Sequence, residues 1–314
     1  METANFIIEP PPTNIASAFI SENPFLINRL IVLDKNYWYY CLIMKPKILH
    51  PELILNKKLK IVFSSYSKKL FYLRAQISAF VLLQNYVPFN PYMNFEYNLS
   101  GTVDKKHIRI ANNTMIHKSD ELWVFGAISD GVLVEIYMAQ KLNKKIRFFI
   151  PNEKIEEFEE ISIDKVELED VSAWMWEYIL KKQNLERWHP RLRFKTVYPL
   201  VYPAYSKRNF YWQMHISKYC IEKGYVPLNP FMLFRYFLSD MVPREKIYTS
   251  NNIFVNASDE LWTFGEISNG VEAEIKLASQ NKIPVSHFRI ADPKPSYVKF
   301  RKVSPKNLEY EKEY

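Results

Sequence analysis

Residues 119–136 read Ser-Asp-Glu-Leu-Trp-Val-Phe-Gly-Ala-Ile-Ser-Asp-Gly-Val-Leu-Val-Glu-Ile, and residues 258–275 read Ser-Asp-Glu-Leu-Trp-Thr-Phe-Gly-Glu-Ile-Ser-Asn-Gly-Val-Glu-Ala-Glu-Ile. Each version has a short apolar run, a glycine turn, and a glycine-serine stretch that opens a helical pattern. Each carries a glutamate four residues after its second glycine. A strand, a tight turn and a helix start have been kept twice.

Working outward, an offset of 139 residues aligns Tyr66–Phe149 with Tyr205–Phe288 without a gap, and about 36 of the 84 aligned positions are identical. That level of identity within one chain means duplication, so one unit predicts the other. Leu59–Phe63 and Tyr198–Tyr202 read as strands buried on both faces. Helical stretches follow at Leu70–Leu83 and Asn209–Glu222, with Gly224 as the C-terminal stop of the second. Tyr86–Pro91 and Tyr225–Pro230 contain prolines that limit ladder formation, which places these strands toward an edge. Helices are expected from near Lys105 to His117 and from near Arg244 to Asn256. Strands are expected at Glu121–Phe125, Glu260–Phe264, Lys145–Phe149 and Pro284–Phe288, with helices from Ser129 and Ser268. Strands alternating with helices predict an α/β fold, two tandem doubly wound, Rossmann- or flavodoxin-like units with parallel sheets of four or five strands.

The expected organisation is an N-terminal extension over residues 1–57, a first unit over 58–150, a connecting segment over 151–190, a second unit over 191–292 and a tail over 293–314. The extension contains a candidate hairpin, Leu30–Leu33 and Tyr37–Met44 around a polar turn. The connecting segment offers an acidic run, a candidate strand at Lys165–Leu168 and a helix near Val171–Lys182. Trp174, Trp176 and Ile179 on that helix suggest packing between the two units. The tail has little to bury, and its extremity is expected to fray.

The 314-residue chain carries a net charge of +8, which favours anionic partners or simply keeps the protein in solution. Two cysteines, Cys41 and Cys220, are too few for a disulfide framework or a zinc site. The sequence displays neither a signal peptide nor an apolar run of membrane-spanning length, so a cytoplasmic protein without membrane association is expected. No metal or cofactor is expected.

In open parallel sheets, ligands bind beyond the carboxyl ends of the strands. Asp120, Glu121, Asp259 and Glu260 open their strands at the other edge, so structural roles are expected for them. The carboxyl ends collect Tyr66, Ser67, Lys68, Asn90, Ser129, Asp130 and Gly131 in the first copy. They collect Tyr205, Ser206, Lys207, Asn229, Ser268, Asn269 and Gly270 in the second. Ser129 and Ser268 are N-cap candidates, and the helix starts would present backbone N–H groups to an anion. Glu135 and Glu274 flank the apolar stripe of that helix, where they can be partly buried near the cleft; by pattern alone the reading as solvated helix-face carboxylates is favoured.

Gly224–Pro230, Phe237-Leu238-Ser239-Asp240, Ser-Asp-Glu-Leu-Trp-Thr-Phe-Gly and Ile-Ser-Asn-Gly with its following Glu-Ile together resemble the nucleoside 2-deoxyribosyltransferase-like superfamily. The resemblance is nearest to a functionally undescribed phage and bacterial branch and covers both copies. It implies a nucleoside or nucleotide ligand and chemistry at the N-glycosidic bond, by transfer or hydrolysis. It places a nucleophilic glutamate at Glu274 and Glu135, and adds Asp240, which stands opposite Gly101, to the substrate-binding set. Relatives keep an aspartate six residues before the glutamate; here Ser129 and Ser268 occupy that position. Relatives also form sites at subunit contacts, which implies an intramolecular pseudo-dimer or a homo-oligomer. The competing expectation is a non-catalytic nucleotide-binding or sensing module of the same fold, in a phage or anti-phage system. Nucleic acid as a partner would rest on net charge alone and is not expected.

Overall fold

The computed structural model describes residues 58–95, 99, 101–169, 171, 173–234, 238, 240–294 and 297–312. The candidate hairpin of the N-terminal extension lies outside them. In the first unit, β1 (Ile61–Tyr66) leads through a 3-10 turn (Lys68–Leu73) into α1 (Arg74–Leu83), β2 (Val87–Phe89) and the short α2 (Pro91–Asn94). Then come α3 (Lys105–Lys118), β3 (Glu121–Phe125), α4 (Asp130–Lys141), β4 (Lys145–Ile150) and β5 (Glu159–Ile161). The connecting segment contributes α5 (Ala173–Leu180) and a 3-10 turn (Pro190–Arg193).

The second unit repeats the order: β6 (Leu200–Tyr205), a 3-10 turn (Lys207–Trp212), α6 (Gln213–Glu222), β7 (Val226–Pro227) and α7 (Pro230–Leu233). It continues with α8 (Arg244–Ala257), β8 (Glu260–Phe264), α9 (Asn269–Gln280), β9 (Val285–Lys294) and β10 (Tyr297–Val303).

The sheets run β2-β1-β3-β4-β5 and β7-β6-β8-β9-β10, the 2-1-3-4-5 order in which strand order reverses between the first and third strands. The α/β fold with two sheet units is therefore as expected, and the proline-containing β2 and β7 stand at edges. Each sheet is mixed rather than wholly parallel, because β5 and β10 pair antiparallel to β4 and β9.

Four local expectations change. The helices expected from Leu70 and Asn209 each begin as a 3-10 turn, capped by Ser67 and Ser206, whose hydroxyls accept from Lys69 N and Arg208 N. The strand expected at Lys165–Leu168 lies earlier, at Glu159–Ile161, and only Leu168 bridges to Ile128. The tail carries more structure than expected, since β10 pairs with β9 and Tyr310 bridges to Ile267, while its extremity lies outside the described residues. Helix α5 packs on α4 of the first unit, with Ile179 buried and Trp174 42% exposed. Its contacts there include Gln140 Nε2 donating to Ile179 O.

Strand alternation divides the packing. Val62, Tyr66, Trp123, Phe125 and Phe149 face α1 in an outer core, and Val201, Tyr205, Trp262, Phe264 and Phe288 do the same in the second unit. The opposite faces, carrying Phe63, Leu122 and Val124 or Tyr202 and Leu261, enter one core shared by both units. Contacts between the units come in exchanged pairs, α1 with α8 and α6 with α3, while α2 meets α7. Asn94 Nδ2 donates to Pro227 O at 2.8 Å, and the Phe89 and Phe254 rings lie 5.1 Å apart.

The acidic residues at the amino edge act as the sequence suggests. Asp120 accepts from Ile61 N and Asp259 from Leu200 N, both at 2.7 Å, which ties each first strand to its neighbour. Glu121 accepts from Lys60 and the Trp123 indole, and Glu260 from Tyr225 and the Trp262 indole.

Gly126 and Gly265 end β3 and β8 at φ of +72° and +79°. A Cβ at Gly265 would stand 2.5 Å from Asn209 Nδ2. Gly265→Ala is therefore expected to lower stability by roughly 1–3 kcal/mol, read by urea denaturation. Asn85 (φ 62°) occupies the position of Gly224 in the other unit, so Asn85→Gly is expected to leave the midpoint nearly unchanged.

Candidate functional site

The switch between β1 and β3 opens a crevice at the carboxyl edge of an α/β sheet. In the first unit the turn after β1, the loop Gly126–Ser129 and the N-terminus of α4 meet there. Ser129 and Ser268 take the N-cap position of α4 and α9; Ser268 Oγ accepts from Val271 N at 3.4 Å, while Ser129 makes no side-chain cap bond.

Glu135 and Glu274 are not solvated helix-face residues: they are 7% and 8% exposed, on the inner side of their sheets. Glu135 Oε2 accepts from Ser65 Oγ at 2.5 Å, and Oε1 accepts from Arg191 Nη1 at 2.7 Å. Arg191, itself 8% exposed, also donates from Nε to Asn113 Oδ1 at 2.8 Å, and Asn113 Nδ2 returns a bond to Arg191 O. One residue pair away, His189 Nε2 lies 3.0 Å from Asp130 Oδ2 at the start of α4. The connecting segment thus lies across the first unit's glutamate. In the second unit, Tyr202 Oη donates to Glu274 Oε1 at 2.6 Å from the strand position that Phe63 fills in the first. Thr263 and His287, paired at 2.9 Å, replace Val124 and Phe148 on that same sheet face. Burial lowers the His287 pKa, favouring the neutral ring.

The remaining expected residues separate by face. Tyr66 and Tyr205 lie on the outer side, where each hydroxyl donates to the Oδ1 of Asn90 or Asn229 at 2.7 Å. Those amides cap α2 and α7 and donate to Ser78 and Ser217 and to the carbonyls of Arg74 and Gln213. With both asparagines fully buried, their polar groups hold the protein together rather than face the crevice. Burial pushes both phenols well above the usual tyrosine range. Ser67 and Ser206 are buried caps, whereas Lys68 and Lys207 beside them are exposed at the crevice. Asp130, Gly131 and Asn269 are exposed on the first turn of their helices, and Gly270 is half-buried there. Asp240 is exposed between α7 and α8.

A half-open groove of about 280 Å³ sits at the second sheet's carboxyl edge, lined by Asn209, Trp212, Glu266, Phe288, Asn307 and Glu309 among others. This is near the lower end for small-molecule sites. Phe288 belongs to the outer core and Glu274 to the inner side, so the groove and the glutamate lie on different faces of the second sheet.

Sequence reasoning misses Arg191, Asn113, Ser65 and Tyr202. The pair Asn112-Asn113, kept as Asn251-Asn252 inside helices that asparagine disfavours, is the signal that could have pointed there. Among the described residues, no group of histidine, cysteine and carboxylate side chains is arranged to hold a metal ion, and no helix is long and apolar enough to cross a membrane.

A family described as "Domain of unknown function (DUF7768)" matches residues 201–288, from the second residue of β6 to Phe288 in β9. No curated protein and no solved structure matches the chain.

Removing one partner of a buried ion pair leaves the other charge uncompensated. Arg191→Met is expected to destabilise the protein by about 3–5 kcal/mol in urea denaturation. Adding Glu135→Gln to that variant is expected to recover most of the loss, because the stranded charge is removed.

Proposed function

We propose that this protein is a nucleoside or nucleotide N-glycosidic bond enzyme, of deoxyribosyltransferase or N-hydrolase type, whose second unit performs the chemistry through Glu274. The contrast between the two units carries this reading. The connecting segment lies across Glu135 with Arg191 and His189, while the equivalent Glu274 accepts from the phenol of Tyr202 on a sheet face that also carries Thr263 and His287. A carboxylate sealed under a strap cannot reach a substrate, and a hydroxyl donor fixes the rotamer of a nucleophilic one.

In this reading the substrate lies across the carboxyl edge of the second sheet, beside the groove. Glu274 attacks C1′ of the sugar, the bond to the base nitrogen breaks, and the glycosyl ester is resolved by water or an acceptor base. The exposed Lys207 and the N-terminus of α9 attract a phosphate or sugar hydroxyl. The first unit then serves as the structural partner that completes the shared core. A sensing module is the second reading, favoured by the sealing of Glu135; it requires binding without turnover.

Incubation with deoxynucleosides, deoxynucleotides and NAD, with and without a free acceptor base, followed by chromatography of released base, tests the proposal. Glu274→Gln is expected to lower turnover at least about a thousandfold, whereas Glu135→Gln combined with Arg191→Met, which strands neither charge, stays within about threefold of the wild type. Ligand binding with no release of base from any donor would favour the sensing module instead.

A further inference from the structure

The duplication extends beyond the gapless repeat. After β5 the chain makes a 3-10 turn (Ile163–Lys165) and returns to the carboxyl edge, where Ile128 N donates to Glu167 O and Glu169 N to Ile128 O, both at 2.9 Å. After β10 it makes a 3-10 turn (Pro305–Asn307) and returns likewise, with Ile267 N donating to Glu309 O at 2.8 Å and Glu311 N to Ile267 O at 3.0 Å. Glu169 and Glu311 therefore occupy one structural position, at an offset of 142 residues instead of 139. Each stands beside the isoleucine that precedes the N-cap serine of the glutamate-bearing helix.

In the first unit, Lys69 Nζ lies 2.9 Å from Glu169 Oε1, and the Ser67 hydroxyl also binds this carboxyl group. Burial acts to raise the Glu169 pKa, but the bonds from Lys69 and Ser67 outweigh it and hold the group below the usual range. Ser65, which holds Glu135, and Ser67 are alternate residues of one extended stretch, so they point to the same side, roughly 7 Å apart along the chain. Carboxylate pairs that work on glycosidic bonds stand about 5–9.5 Å apart. In the second unit Glu311 reaches the carboxyl edge beside the glutamate-bearing α9 through the same pair of backbone bonds to the isoleucine before the N-cap serine. There, Arg208 Nε is 3.7 Å from Glu311 Oε2, while Oε1 is buried and has no hydrogen-bond partner. A buried carboxyl oxygen without a donor is suited to carry a proton or meet one.

We propose that Glu311 is the proton-transferring carboxyl group of the second unit, working opposite Glu274. This inference rests on the N-glycosidic reading above. In the first step, a Glu274 oxygen bonds to C1′, the C1′–N bond breaks with its electron pair left on the base, and protonated Glu311 gives its proton to that nitrogen. In the second, the Glu311 carboxylate takes a proton from water as the water oxygen bonds to C1′. The ester bond breaks, and its electron pair returns to Glu274.

The test compares 2′-deoxyguanosine with N7-methyl-2′-deoxyguanosine, whose base is already cationic and departs without protonation. Glu311→Gln is expected to lower kcat/KM on 2′-deoxyguanosine about 10²–10⁴-fold and to leave the methylated compound within about threefold. Glu169→Gln is expected to change neither, and Glu274→Gln to lose both. Equal loss on both compounds in Glu311→Gln would assign Glu311 a structural role and overturn the inference, as would no loss on either. Retained turnover in Glu274→Gln would strike the nucleophile assignment separately, and a wild type inert on both compounds overturns both readings.

Discussion

Each sheet presents two apolar faces, and neither can be left to water. Helices α1 and α6 cover the outer faces, while the inner faces enter one core that both units share. The paired contacts of α1 with α8 and α6 with α3 follow from that requirement, as does the contact of Phe89 with Phe254. Aromatic contacts of this kind contribute about 0.5–1.5 kcal/mol beyond the area they bury. Neither unit can be withdrawn without exposing the other's inner face. Duplication has supplied within one chain the kind of self-complementary contact that a two-fold dimer makes between subunits.

That shared core also permits the two units to diverge. Once both are needed for stability, only one has to retain an open carboxyl edge. The connecting segment lies on the first unit, with His189 at Asp130 and Arg191 at Glu135. The second unit's sheet face carries Tyr202, Thr263 and His287 where the first carries Phe63, Val124 and Phe148. Three registered positions on this face are apolar in the first unit and polar in the second, while Ser65 of the first corresponds to Ala204. A buried ion pair thus ties the connecting segment to the first unit, and hydroxyl and imidazole groups line the corresponding face of the second.

Much of this was legible in the residues. Glu121–Phe125 and Glu260–Phe264 are the strands the apolar runs suggest, the prolines of β2 and β7 put them at edges, and Asp120 and Asp259 lock the amino edge. The glutamates were singled out, although their burial was not. The strand in the tail is hard to read because the apolar residues of Tyr297–Val303 are interrupted by Lys299, Arg301 and Lys302, as an edge strand with one solvated face allows. Asn90 and Asn229 stand at the expected loop ends, but their amides turn inward as caps.

The sequence by itself determined the duplication, the order of elements and the placing of a carboxylate on the second turn of α4 and α9. Those features follow from local periodicity and turn chemistry, which repeat with the residues. Only the tertiary structure decided that Arg191 closes on Glu135, that Tyr202 donates to Glu274, and that Glu169 and Glu311 return to the carboxyl edge. Those pairings join segments distant along the chain. Their geometry depends on how helices and straps pack onto the sheets, and no local pattern of residues encodes it.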